Sequence, residues 1–165
     1  MDLARCREEL FNRIIEENEK RLAAIARFHA DRLSQDDLYQ EILLQIWLSL
    51  DGFGERCKLN TWVYRVAINT ALYFSREAAA RRERSENDPD ATEESQAVKL
   101  GPLSEVQILE DFIDSLGDAD RGLFLLYLEN VSYEEISDVL DMDEAVIRAK
   151  ISRIRKKYIE RYLGS

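Results

Sequence analysis

The distribution of glycine and proline constrains this chain more than any other feature. All six glycines and both prolines fall at 52–54, 89–122 and 164, so 1–51, 55–88 and 123–163 contain no backbone breaker. None of these stretches sustains the two-residue alternation of a strand, and all carry the spacing of an amphipathic helix. The fold class is therefore all-α. Leu10, Ile14, Ile15, Leu22 and Ile25 share one side of a first helix. A break near Ser34 follows, where Ser34 or Asp36 is placed to cap a second helix. In that helix Leu38, Ile42, Ile46 and Leu50 recur every four residues. DGFGERCK (51–58) is a loop, and Asn60 or Thr61 is placed to cap a long helix reaching about Arg84. Shorter helices are predicted over about 105–115, 118–129, 132–140 and 144–162.

Residues 85–104 differ from their surroundings. Five acidic residues and no basic one lie between Ser85 and Ala97, with Pro89 and Pro102 near the two ends. Such a segment buries too little apolar surface to offset its ordering entropy, and it reads as a flexible linker. The chain thus divides into two small helical domains, 1–84 and 105–165, joined by an acidic tether over 85–104. With 165 residues, 45% of them hydrophobic, each module has material for only a modest core. No apolar run approaches the ~18–20 residues that cross a bilayer. The charged, amphipathic start is unlike a signal peptide. A cytoplasmic protein without membrane insertion is expected. Two cysteines, Cys6 and Cys57, and the single His29 argue against a disulfide framework or a zinc site, and no cofactor is expected. Gly-rich phosphate loops and paired catalytic carboxylates are also missing, so nothing points to an enzyme.

The net charge of −10 is unevenly spread. Residues 1–84 carry 14 basic and 14 acidic side chains, 85–147 carry 2 and 18, and 148–165 carry 7 and 1. An acidic total ordinarily counts against nucleic-acid binding. The compact basic end weakens that objection, because local potential dominates within a Debye length.

That basic end belongs to VSYEEISDVLDMDEAVIRAKISRIRKKY (131–158). Ser132 and Glu135 have capping-box spacing. Ile136, Val139 and Leu140 give the first short helix its apolar edge, and Asp141-Met142-Asp143 forms a turn in which Asp143 is placed to cap the next helix. There Ile147, Ile151, Ile154 and Tyr158 make one narrow stripe, leaving Arg148, Lys150, Arg153, Arg155, Lys156 and Lys157 on the remaining perimeter. Two helices, a three-residue turn and a basic second helix match a DNA-reading helix-turn-helix. The same bases also suit a solvated helix end. The 60–84 helix carries a second pattern. Arg65, Asn69 and Arg76 run along one side beside Trp62, Val66 and Tyr73, while Val63, Ala67, Thr70 and Phe74 form a separate apolar face. Amide, guanidinium and ring side chains in one stripe suit unpaired bases, although for isolated aromatics at helical spacing such as Trp62 and Tyr73 a place in the core is the simpler reading.

At these residues the sequence resembles a known family. DDLYQEILLQIWLSLDGF (36–53) and NTWVYRVAINTALYFSRE (60–77) resemble region 2 of the sigma-70 family, and SLGDADRGLFLLYLENVSYEEISDVLDMDEAVIRAKISRIRKK (115–157) resembles region 4. With only these two regions, the chain resembles a group IV, or extracytoplasmic-function (ECF), sigma factor. The resemblance implies a factor that binds core RNA polymerase and directs it to promoter DNA. Asp37, Leu38, Gln40, Glu41, Gln45 and Trp47 correspond to the surface that docks on the polymerase clamp coiled coil. Phe53, Gly54, Glu55 and Arg56, with Trp62, Arg65, Asn69 and Arg76, correspond to the parts that open the −10 element and hold a flipped base. Arg148, Lys150, Ser152, Arg153 and Lys156 correspond to the reader of the −35 element. Leu116, Leu123, Phe124 and Tyr127 form the core of that second module or meet the polymerase flap. Glu86, Asp88, Asp90, Glu93 and Glu94 are placed either to imitate a nucleic-acid backbone in the polymerase or to act as a solvated spacer. Ala149, Val146 and the acidic 142–144 turn depart from the common pattern and point to weaker −35 affinity or an unusual sequence preference. An anti-sigma partner is expected by the same resemblance. The competing readings are a free-standing helix-turn-helix regulator and a sigma-like adaptor.

Overall fold

The structure, a computed structural model, describes residues 2–30, 34–85 and 101–164. Its α-helices are α1 (Leu3–His29), α2 (Gln35–Ser49), α3 (Leu59–Ser85), α4 (Glu105–Ser115), α5 (Asp118–Leu128), α6 (Tyr133–Leu140) and α7 (Glu144–Tyr158). A 3-10 turn, Leu50–Gly52, follows α2, and a π-helical turn, Ile159–Leu163, follows α7. Among the described residues there is no strand, as the all-α class requires. The linker acids Glu86 to Glu94 lie outside the described residues.

Helices α1–α3 form the first module. Ile14, Leu22 and Ile25 of α1 meet Leu38, Ile42 and Ile46 of α2 and Val63, Ala67 and Ile68 of α3, all buried. Each aliphatic side chain so buried contributes on the order of 1.5–3 kcal/mol. A polar network crosses this core. Asn18 donates to the Ile14 carbonyl (3.0 Å) and to Asn60 Oδ1 (3.2 Å), and its own oxygen accepts from the Tyr64 hydroxyl (3.0 Å). Arg21 donates in turn to Tyr64 (2.7 Å), so the buried polar atoms of this network are partnered. The network corrects one expectation: Asn60 serves Asn18 instead of capping α3. Thr61 lies buried inside the same helix, which begins at Leu59.

Helices α4–α7 form the second module around Phe112, whose ring meets Phe124 (5.8 Å), Tyr158 (5.1 Å) and Tyr162 (6.2 Å) edge-on. Ile136 and Val139 face Ile147, Ile151 and Ile154 across the helix-turn-helix, as their spacing predicted. Asp141 closes α6 in the left-handed region (φ 54°) and sets the turn. The capping box forms at Ser104 and Gln107. At 132–135 only half of the predicted box exists. Ser132 Oγ accepts from the Glu135 amide (3.2 Å), but the Glu135 carboxylate turns outward to Lys58 of the first module (2.9 Å).

The two modules are packed together, with α5 and α6 lying on α1 and α3. At the junction the Arg121 guanidinium donates to the carbonyls of Ile113 (3.3 Å), Asp114 (3.0 Å) and Leu116 (2.9 Å), which end α4, and to the Phe28 carbonyl near the end of α1. His29 is buried beside it, with Nδ1 3.0 Å from the Ile25 carbonyl and Nε2 3.3 Å from the Asp118 carbonyl. Burial holds its pKa below the ordinary 6.5, although the two carbonyls oppose that shift. The unfolded chain therefore binds a proton that the folded chain resists, and stability must fall as pH drops through 6.5 and below. Urea denaturation of the parent and of His29→Gln between pH 7.5 and 5 checks this: the substitution is expected to flatten the acid-side loss.

Candidate nucleic-acid interface

Helix α7 turns its isoleucines inward, which leaves Arg148, Ser152, Arg153 and Lys156 exposed along its outer side. Lys150 is the exception among the predicted readers. It is half-buried, with its ammonium against Asp120 of α5 (3.3 Å), so it braces α7 on its own module instead of joining the outer row. Arg148 is held from two sides. Its guanidinium lies 4.3 Å from the centre of the Tyr133 ring and 3.5 Å from Glu144. Tyr133 stacks on Tyr127 (6.5 Å) and Tyr127 on Phe124 (5.9 Å), so a ladder of rings links the core to an outward arginine. Sequence reasoning missed Tyr133 as a support. The available signal was an aromatic at the first position of α6, where burial alone does not require one.

Helix α3 and the loop before it carry the second set. Asn69, Tyr73 and Arg76 are exposed, with Tyr73 two-thirds accessible (66%), which removes it from the core. Trp62 is half-buried and packs on Phe53 at 5.4 Å, while Gly54, Glu55 and Arg56 form the exposed tip of the loop. Glu55 holds a left-handed backbone conformation (φ 55°) that turns the chain back toward α3. Arg65 is half-buried and bonds to the Asp138 carbonyl of α6, unlike Asn69 and Arg76.

On α2, Asp37 and Gln40 are exposed, and Gln45 donates to Glu41 (2.9 Å). Two residues of this predicted set are placed elsewhere. Leu38 is fully buried in the core because it belongs to the Leu38–Ile42–Ile46 stripe. Trp47 is clamped between Phe11 (5.1 Å) and the Arg7 guanidinium (4.4 Å), and Arg7 also donates to its carbonyl, so it ties α1 to α2. Leu44 and Leu48 are exposed instead, at 47% and 59%. They follow Asp37 and Glu41 at helical spacing on one face, a signal the four-residue core stripe concealed. A groove of about 580 Å³ brings Glu41 and Gln45 of α2 together with Asn69, Tyr73 and Arg81 of α3. Among the described residues no cluster of His, Cys, Asp or Glu is placed to hold a metal, and no helix is long and apolar enough to cross a membrane.

A helix-turn-helix with an exposed basic outer row, packed beside a three-helix module bearing an asparagine, aromatic and arginine surface, suits a two-module nucleic-acid-binding protein. Residues 14–81 match the model of sigma-70 region 2, and 107–157 match that of sigma-70 region 4. The chain is 27% identical over 163 residues to the ECF RNA polymerase sigma-E factor of Escherichia coli K12, covering 90% of this chain and 84% of that protein. The factor of the same name from Haemophilus influenzae is 25% identical over 164 residues, covering 90% and 85%. Among solved structures, CnrH in complex with the cytosolic domain of CnrY superposes with a TM-score of 0.64 at 21% identity, over 92% of this chain and 86% of that one. The sigma factor RpoE in complex with the anti-sigma factor NepR from Bartonella quintana gives 0.63 at 22% identity, over 88% and 93%. The chain belongs to the sigma-70 family, among its ECF members, and is a sigma factor for promoter-specific transcription initiation.

The ring ladder generates a direct test. A Tyr133→Ala, Arg148→Ala double-mutant cycle in urea denaturation is expected to show a coupling of about 0.5–1 kcal/mol. Zero coupling removes Tyr133 as the support of Arg148.

Proposed function

We propose that residues 1–84 act as the region 2 domain and 105–165 as the region 4 domain, with 85–104 as the tether between them. Core RNA polymerase, through its clamp coiled coil, is bound by the exposed face of α2: Asp37, Gln40, Glu41 and Gln45, joined by Leu44 and Leu48. The −10 element is opened by the loop Phe53–Arg56 and held by Asn69, Tyr73 and Arg76. Extruding a base costs a few kcal/mol, which an amide and exposed rings beside a groove are suited to return. Arg148, Ser152, Arg153 and Lys156 read the −35 element in the major groove, and this second domain also meets the polymerase flap. The carrying observation is that the two sigma-70 regions match in order on two structural modules, the second ending in an exposed basic helix. The factor is read as non-catalytic and cytoplasmic. An anti-sigma protein is the remaining partner, since both structural relatives named above were solved as complexes with a second protein.

Co-elution with bacterial core RNA polymerase tests the central reading. The parent chain is expected to co-elute, and Asp37→Ala with Gln40→Ala to abolish it. If the parent does not bind, a free-standing helix-turn-helix regulator becomes the better account. On a promoter selected with the holoenzyme, Asn69→Ala is expected to block opening, read by permanganate reactivity, while leaving polymerase binding intact. Arg153→Ala is expected to cost about 1–3 kcal/mol of −35 duplex affinity. Lys150→Ala should cost clearly less, because that ammonium is engaged with Asp120.

A further inference from the structure

The bases of α7 are not equally available. Arg148, Arg153, Arg155, Lys156 and Lys157 are exposed, and Lys150 alone is half-buried. Three of the six meet a carboxylate among the described residues: Arg148–Glu144 (3.5 Å), Lys156–Glu160 (3.8 Å) and Lys150–Asp120 (3.3 Å). The first two pairs join residues one turn apart and stand well exposed, so a phosphate can take the place of the carboxylate at little cost. The third differs. It crosses from α7 to α5, and its two side chains are only 28% and 35% exposed.

Helical spacing places Lys150 beside Arg153, at the border of the outer row. A lysine is a compact point charge, suited to a phosphate of any sequence, whereas an arginine fork can read a base edge. Freed from α5, Lys150 would add one phosphate-binding charge to that row. Asp120 is placed to prevent this. An acid in the first turn of α5 suits the positive end of the helix, but Asp118 already supplies one and turns to Arg121 of its own helix (3.4 Å). Asp120 reaches across to α7 instead. The turn that presents it is well held, because the adjacent Arg121 donates to the carbonyls of Ile113, Asp114 and Leu116 at the end of α4.

We propose that Asp120 is a positioning residue that limits the affinity of α7 for DNA: it holds the Lys150 ammonium on α5 and keeps one sequence-blind phosphate contact out of the −35 complex. The inference rests on the −35 role proposed for α7 above. Each phosphate contact strengthens binding to every duplex and adds about −0.9 to the slope of log affinity against log salt. Withholding one lowers attachment to DNA at large and leaves discrimination to the outer row.

The test uses holoenzyme assembled from core RNA polymerase and the full chain. Its ligands are two promoter fragments that differ only in an intact or a scrambled −35 element. Asp120→Asn, close to the parent in shape, is expected to bind both fragments several-fold more tightly and by the same factor. That gain should shrink about three- to fourfold between about 50 and 200 mM salt, as one added phosphate contact requires. Asp120→Glu keeps the carboxylate and should keep the parent's slope. Lys150→Ala should cancel the gain when combined with Asp120→Asn. A gain that survives Lys150→Ala overturns the proposal, because the carboxylate would then act on the duplex directly. No gain, or a loss confined to the intact fragment, overturns it as well and leaves Asp120 a structural residue of its module. A parent that forms no holoenzyme, or whose holoenzyme binds both fragments alike, removes the −35 reading and the proposal with it. The other outcomes leave that reading standing.

Discussion

Arg121 is the point on which the arrangement of this molecule depends. It is one of only two bases between residues 85 and 147, and its guanidinium donates to the carbonyls that end α4 and to one near the end of α1. Helix ends leave carbonyls without intrahelical partners, and a buried carbonyl without a donor costs free energy comparable to a lost hydrogen bond. A planar, permanently charged fork satisfies several at once. Without it, the turn between α4 and α5 would present unpaired oxygens to the junction with α1. The second module's internal order and its docking on the first therefore share one side chain.

Periodicity made the helices, both cores and the helix-turn-helix legible. Ile14, Leu22, Leu38, Ile42 and Ile46, and then Ile147, Ile151 and Ile154, are buried where their spacing placed them. What spacing leaves open is which neighbour a polar residue chooses. Asn60 looks like a cap until Asn18 is seen beneath it, and Glu135 looks like half of a capping box until Lys58 is seen opposite. Lys150 belongs to the basic perimeter of α7 by composition, yet Asp120 draws it inward. Leu38 and Trp47 show the complementary limit. Both lie in the segment that carries the family resemblance, but one belongs to the core stripe and the other to the α1–α2 clamp. Gly122 of α5 lies where a Cβ would meet Ile68 Cδ1 of α3 at 3.3 Å, and a mid-helix glycine has no meaning until the opposing surface is known.

The candidate surfaces also differ in how they are supported. The α2 face is backed by the buried Leu38, Ile42 and Ile46 stripe, so Asp37, Gln40, Leu44 and Leu48 are presented by a helix anchored along its length. The loop from Phe53 to Arg56 is anchored by Phe53 against Trp62, which leaves its tip exposed. Under the proposed reading, an anchored docking face and an exposed opening loop are adjacent segments of one module.

The stack of Phe124, Tyr127 and Tyr133 beneath Arg148 has a consequence for discrimination. An arginine that is disordered before binding must surrender rotamer freedom on contact, and that loss falls equally on right and wrong sequences. A guanidinium already oriented by a ring and a carboxylate has surrendered most of that freedom during folding. It also has less latitude to swing toward a mismatched base. Under the −35 role proposed for Arg148, the ladder would convert aromatic packing in the core into stringency at the DNA, and the stability of the module and the selectivity of its readout would be properties of the same column of side chains.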